Sequence, residues 1–203
     1  PVSYFRREFP GKKLIATFPV YSPVELIYAG GAFPIGLFGA GAHIELVHAD
    51  SRFTSFVCSI AKSTLEMGFQ NYLQRFDGVF FHSICDVARN LSYVIKRNFP
   101  DILVEYIHLP QNTSTQEATE YYRAELERVK LKLEQLCGVA ITPELLSQSI
   151  STYNRAREAL AALYTFKLES PEKLTLAELA VISRALTCMD PHEFRKLAID
   201  ILE

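Results

Sequence analysis

The stretch Gly78-Val-Phe-Phe-His-Ser-Ile-Cys-Asp-Val-Ala-Arg-Asn-Leu-Ser-Tyr-Val-Ile-Lys-Arg97 decides the fold class. Its first five residues are an apolar run opened by glycine, the pattern of a short buried strand at Gly78–His82. Ser83-Ile-Cys-Asp86 is a turn, Asp86 is placed to cap a helix, and Val87 to about Arg97 carries apolar residues at helical spacing. Downstream, Ile102–His108 is another strand candidate. Upstream, Lys12–Phe18 and Phe33–Phe38 are two more. Between these two, Pro19 and Pro23 bracket a turn, and Pro23 sits at the start of a helix, Val24–Ala29, that Gly30-Gly31 stops. Asp50 or Ser51 is expected to cap a helix running to about Phe69, with Phe53, Phe56, Val57, Ile60 and Ala61 as its apolar face. Strands alternating with helices predict a parallel layered sheet, and in such sheets sites lie at the carboxyl ends of the strands.

The second half is helical. Ser114-x-x-Glu117 has the form of a capping box, and Ala118, Tyr122, Leu126, Val129, Leu133 and Leu136 follow at spacings of three and four until Gly138. Thr142-Pro143 opens a second long helix with the stripe Leu146, Ile150, Tyr153, Ala156, Leu160, Leu163. Shorter helices are expected near 175–188 and 191–203. The predicted class is therefore α/β: a parallel layered sheet flanked by helices, Rossmann- or flavodoxin-like, followed by a mostly α-helical region. The expected division is an α/β domain over 1–112 and a helical region over 113–203.

Composition narrows the functional classes. Of 203 residues, 49% are hydrophobic, enough to bury a core. The net charge of −2 provides no basic footprint, so no nucleic-acid partner is expected. The longest apolar run, Ala29 to Ala42, is interrupted by Pro34 and several glycines, so no membrane span is expected either. Gly36–Gly41 is glycine-rich but does not match G-x-G-x-x-G, and it receives no nucleotide-binding role. The first residues lack the apolar stretch of a signal peptide, which makes the cytoplasm the expected compartment. The chain opens on Pro1 and stops within a helical pattern, 195–203, so a fragment cut at both ends is expected.

The cysteines are Cys58, Cys85, Cys137 and Cys188, with no C-x-x-C pair and, in a cytosolic chain, no expected disulfide. Cys85 lies where a strand ends and a helix begins. The free N–H groups and dipole of a helix start favour a thiolate, and a thiolate is the form that ligates iron or zinc. Cys58 is expected inside the helix after Asp50, about one strand–helix unit earlier. Position and spacing leave three roles open: metal ligands, buried inert thiols, or a catalytic Cys85–His82 pair.

Lys13–Gly39, His48-Ala-Asp-Ser-Arg-Phe-Thr-Ser-Phe-Val-Cys58 through Glu66, Asp77-Gly-Val-Phe-Phe-His-Ser-Ile-Cys-Asp86 through Leu91, and Tyr106-Ile-His-Leu-Pro-Gln-Asn112 follow one another in an order that resembles the benzoyl-CoA reductase and 2-hydroxyacyl-CoA dehydratase family. Glu120 through Arg157 fits the helical part of that family, and the wording is most similar to its C-type reductase subunits. The resemblance implies a buried redox site with Cys58 and Cys85 as two of three cysteine ligands of a [4Fe–4S] cluster. The third is expected beyond residue 203, in a second α/β domain absent here. It further implies a heterodimer with a homologous partner subunit and an ATP-dependent electron-activating module. The implied reaction is anaerobic reduction of an aromatic acyl-CoA by low-potential single electrons through a ketyl radical. A 2-hydroxyacyl-CoA dehydratase subunit, or an assembly subunit without catalysis, are the competing expectations.

Ser83, beside Cys85, could donate to a cluster sulfide or the thioester, or simply cap its turn. Glu25 could act as an acid or base, or be an exposed helix carboxylate. His82 ends a strand beside the cysteine turn, where a core histidine is the competing role. Arg89, Lys96 and Arg97 could meet CoA phosphates or form a solvated face. His43, His48, His108 and His192 show no metal spacing, and Cys137 and Cys188 are expected to be structural.

Overall fold

Leu14, Ile15 and Ala16 are fully buried and Thr17 nearly so, because this strand has neighbours on both sides and helices on both faces. A computed structural model describes residues 2–203. Its elements are α1 (Val2–Glu8), β1 (Leu14–Thr17), α2 (Val24–Ala29), β2 (Phe33–Gly36), α3 (Ser59–Phe69), β3 (Gly78–His82), α4 (Asp86–Asn98), β4 (Leu103–Ile107), α5 (Gln116–Cys137), α6 (Pro143–Glu169), α7 (Leu176–Ala185) and α8 (Pro191–Leu202). The four strands are all parallel, in the order β2-β1-β3-β4. Register places Leu14 beside Phe33, Ile15 beside Gly78, and Gly78 beside Leu103.

Strand alternation divides the core. Leu14, Ala16, Val79 and Phe81 face one side, where Phe5 of α1, Leu65 of α3 and Leu91 and Ile95 of α4 cover them. Ile15, Phe80 and Ile107 face the other, under Ile27 of α2 and Val129 and Leu133 of α5. The long helix α5 thus packs on the sheet, while α6, α7 and α8 enclose a separate core around Ala156, Leu163, Leu179 and Phe194. The expected α/β class is what the structure shows. Connection order reverses at β1: β2 lies on one side of it and β3 on the other. The topological switch point, where open sheets of this kind bind ligands, therefore falls at the carboxyl ends of β1 and β3.

Several expectations change. The helix expected from Asp50 begins only at Ser59. Residues 44–58 instead run as successive turns, with the Ala49 carbonyl accepting from the Arg52 and Phe53 N–H groups and the Thr54 carbonyl from Val57. Phe56, assigned to an apolar helix face, is 86% exposed. The second strand stops at Gly36, short of Phe38. Thr115, not Ser114, caps α5 by accepting from the Ala118 N–H. Asp86 is the first residue of α4, and Cys85 is its cap. Helix α1 had no counterpart in the sequence reading.

Candidate functional site

The carboxyl edge of the sheet gathers both cysteines implied as ligands. Strand β3 ends at His82, and Ser83-Ile84 leads into Cys85, whose extended backbone (φ −163°, ψ 165°) makes it the N-cap of α4. Its Sγ accepts from the Ala88 N–H at 3.3 Å. A sulfur here substitutes for the oxygen of an ordinary cap and faces the positive end of the helix dipole. Cys58 occupies the same position on α3, with φ −60° and ψ 148°, and its side chain makes no cap hydrogen bond. Helix α3 is the crossover between two parallel strands, so it runs against them and its N-terminus lies at the carboxyl edge. Both thiols are free and exposed. The expected buried site is thereby corrected in this chain: an N-cap at a sheet edge lies outside the packed layers.

The remaining candidates are held by identifiable contacts. Ser83 Oγ accepts from the Leu109 N–H at 2.7 Å, and the Ser83 N–H donates to the Ile107 carbonyl, so this serine fastens the cysteine turn to the segment after β4. Its O–H stays available as a donor. His82 is fully buried. Its Nε2 lies 3.4 Å from the Tyr122 hydroxyl, its Nδ1 has no partner among the described residues, and its ring meets the exposed Tyr21 edge-on. Burial, and to a lesser degree the neighbouring His108, lower its pKa and keep it neutral. Glu25 forms an ion pair with Arg157 of α6, and its carbonyl accepts from Ser149. Arg89 pairs with Asp86 at 2.9 Å.

Cys137 and Cys188 pack against the apolar clusters, where burial pushes both thiols above their usual pKa. No group of three or more His, Cys, Asp or Glu able to hold a metal is found among the described residues. The donor set therefore fits a cluster in part: two accessible thiols at helix starts on one sheet edge, in need of further donors. At the ends of β1 and β2 lies a cleft of about 250 Å³ whose walls include Phe18, Tyr21, Phe38, Tyr153 and Arg157. No helix among the described residues is long and apolar enough to cross a membrane. From sequence alone, Tyr122 is placed only in the apolar stripe of α5, not beside His82, and the buried Glu66 is assigned no role. Glu66 could have been noticed as a carboxylate sharing a helix face with Lys62 and Ser63, spaced to anchor a preceding segment.

Residues 19–203 match the family described as 2-hydroxyglutaryl-CoA dehydratase, D-component. The C-type subunit of benzoyl-CoA reductase from Thauera aromatica is 37% identical over 193 residues, covering 95% of this chain and 50% of the relative. The beta subunit of (R)-2-hydroxyglutaryl-CoA dehydratase from Acidaminococcus fermentans is 32% identical over 188 residues, covering 91% and 48%. The beta subunit of (R)-phenyllactyl-CoA dehydratase from Clostridium sporogenes is 27% identical over 186 residues, covering 92% and 49%. The chain spans about half the length of these curated relatives. With the parallel sheet and both cysteine turns in place, the chain belongs to the family of benzoyl-CoA reductase and 2-hydroxyacyl-CoA dehydratase subunits described as 2-hydroxyglutaryl-CoA dehydratase, D-component.

Proposed function

We propose that the chain is part of a subunit of an iron–sulfur acyl-CoA enzyme in which Cys58 and Cys85 supply two thiolates to a [4Fe–4S] cluster. The observation that carries this is the matched placement of the two sulfurs, each at the N-cap of a helix on the same edge of the sheet. Helix starts stabilise the anionic form that iron requires, and exposure leaves both sulfurs accessible to donors from outside these residues. When bound, the cluster supplies low-potential single electrons. The further ligand is assigned to the remaining length that the relatives have, in a second α/β domain. The homologous partner subunit and an ATP-dependent electron-activating module complete the system.

The reaction we assign is reduction of an aromatic acyl-CoA of the benzoyl type, through a ketyl radical at the thioester carbonyl, to a dienoyl-CoA. Similarity to the reductase subunit and the aromatic walls of the cleft support it. In this scheme the chain's residues hold and orient. Ser83 fixes the Cys85 turn and keeps an O–H for the thioester or a sulfide. Neutral His82 handles protons, with Tyr122 as its neighbour. Glu25, ion-paired to Arg157, joins α2 to α6 and is assigned no proton transfer. A dehydratase of 2-hydroxyacyl-CoA is the second reading, supported by the family description and two of the relatives named above.

The test is anaerobic iron and acid-labile sulfide analysis of the complete protein with its partner, alongside Cys58→Ser and Cys85→Ser. Each substitution is expected to abolish or strongly deplete the cluster; undiminished iron in both would refute the ligand assignment. Turnover with activator and reductant then separates the reactions: consumption of a 2-hydroxyacyl-CoA but not benzoyl-CoA would select the dehydratase.

A further inference from the structure

We infer that Glu66 is the positioning residue for Cys58, holding the turns of 48–58 against α3 so that the sulfur is presented at the helix start. This deepens the reading of Cys58 as a cluster ligand and rests on it. The connection from β2 to α3 is long and lacks regular structure apart from a 3₁₀ turn at Gly41–His43, so its path needs anchors.

Those anchors come from α3 itself. Glu66, two turns into the helix, is fully buried. Its Oε2 accepts from the His48 and Ala49 backbone N–H groups at 2.8 and 2.9 Å, and its Oε1 pairs with His48 Nδ1 at 2.8 Å. Burial alone would raise this carboxyl's pKa, but the donors of His48 and Ala49 outweigh burial and hold it below the ordinary glutamate value. One turn earlier Lys62 Nζ binds Asp50 Oδ1 at 2.7 Å, and the Lys62 N–H closes on the Cys58 carbonyl at 3.2 Å. One turn later the Phe69 ring stacks on His48 and carries the Arg52 guanidinium over its face. Ser63 Oγ holds the earlier arm by accepting from the Ala40 N–H at 3.3 Å. Gly39 approaches there with φ 71°, where an added Cβ would stand 2.2 Å from that oxygen.

Residues 62, 66 and 69 thus lie on one helix face and hold 48–52, while Cys58 closes the loop at the head of the same helix. Of the three, Glu66 is the one that accepts from the backbone of the arm, and it does so from a fully buried position. Without it, the His48 N–H and the buried Ala49 N–H lose their acceptor, and the arm leading to Cys58 loses its fixed origin.

The experiment compares Glu66→Ala, Glu66→Asp and Glu66→Gln with Cys58→Ser in the complete protein. In Glu66→Ala, amide exchange at His48 and Ala49 should quicken about tenfold or more while that of β3 and α4 is unchanged. Iron loss to a chelator should quicken about tenfold, the scale on which residues supporting a ligand act. Glu66→Asp, one methylene short, should behave alike and serves if the alanine variant does not fold. Glu66→Gln should restore both readings: its carbonyl can take both backbone N–H groups, and its amide can donate to Nδ1 of a neutral His48. Quickened exchange with iron retention unchanged, or unaltered exchange, overturns the positioning role while leaving Cys58 as a ligand. A cluster unaffected by Cys58→Ser defeats the ligand reading and, with it, this role.

Discussion

Asp77 stands at the entry to β3 and accepts from the Leu14 N–H at 2.9 Å, from Lys13 at 3.0 Å and from Arg6 at 2.8 Å. One carboxylate thereby ties α1, β1 and β3 together at the edge opposite the cysteines. Burial would raise its pKa, yet the Leu14 N–H and the two cations outweigh that and lower it. A carboxyl with a depressed folded-state pKa contributes stability above its unfolded value and loses it as pH falls through the folded value. Asp77→Asn should therefore destabilise the fold by about 2 kcal/mol at neutral pH, the scale of a charge-assisted hydrogen bond. The gap from the parent should close below about pH 4 as the parent carboxyl becomes protonated. Urea unfolding of both proteins across that range measures it; a gap that stays constant with pH would contradict the assignment. Glu66 and Glu125 are lowered by their own donors, so the variant should keep some acid sensitivity.

At the scale of elements, β4 is one of the sheet's two edge strands, and α5 covers it with side chains rather than with another strand. Arg128 donates to the Tyr106 carbonyl at 3.0 Å, Glu125 accepts from the His108 N–H at 3.2 Å, and Glu105, 3% exposed, is paired by both Arg128 and Lys132. Arg128→Ala should cost about 3 kcal/mol, because it leaves a buried carboxylate with one cation. It should also expose a strand edge, so light scattering is expected to show self-association absent from the parent; a stable monomer would count against edge protection. Arg128→Lys keeps the charge but cannot reach Glu105 and Tyr106 with one planar fork. The strands themselves were legible because apolar runs between Gly, Pro and Asp define them: β3 falls at Gly78–His82 as expected, and the others within one or two residues at most ends. Helix α2 and the Thr142-Pro143 start of α6 were legible from proline and cap chemistry. Gly138, at φ 69°, ends α5 in the left-handed conformation that glycine tolerates. The start of α3 was not legible. Asp50 and Ser51 have the chemistry of caps, and Phe53, Phe56 and Val57 continue the helical period. Only tertiary contacts, chiefly Asp50 to Lys62 and the 48–49 backbone to Glu66, commit those residues to turns. That difference moved Cys58 from a helix interior to a helix cap, which is the change that makes it accessible.

For the whole molecule, two bodies of core must stay in register: the layered sheet and the α6–α8 bundle. Their seam is polar as well as apolar. Ser149 donates to the Glu25 carbonyl at 2.7 Å, Tyr28 and Tyr153 meet edge-to-face with centroids 5.7 Å apart, and the Tyr28 hydroxyl donates to Asp190 Oδ2 at 3.0 Å. Burial, followed by the nearby Asp190 charge, raises the Tyr28 pKa, so the phenol remains a donor throughout the physiological range. Asp190 serves two elements at once, because its Oδ1 also caps α8 by accepting from the His192 N–H at 2.9 Å. The two roles are separable by substitution. Tyr28→Phe removes only the seam bond and should cost about 1 kcal/mol. Asp190→Ala removes the seam bond and the cap together and should cost about 2 kcal/mol. Hydrogen exchange distinguishes them further: the first amides of α8 should lose protection in Asp190→Ala and keep it in Tyr28→Phe. Equal loss in both variants would mean that α8 depends on docking to α2 rather than on its own cap. Because the cysteine edge is built on the sheet and not on the bundle, Tyr28→Phe should leave the accessibility of Cys58 and Cys85 unchanged, measured as alkylation of each peptide by mass spectrometry. A changed rate at either sulfur would show that the bundle helps set the geometry of the carboxyl edge.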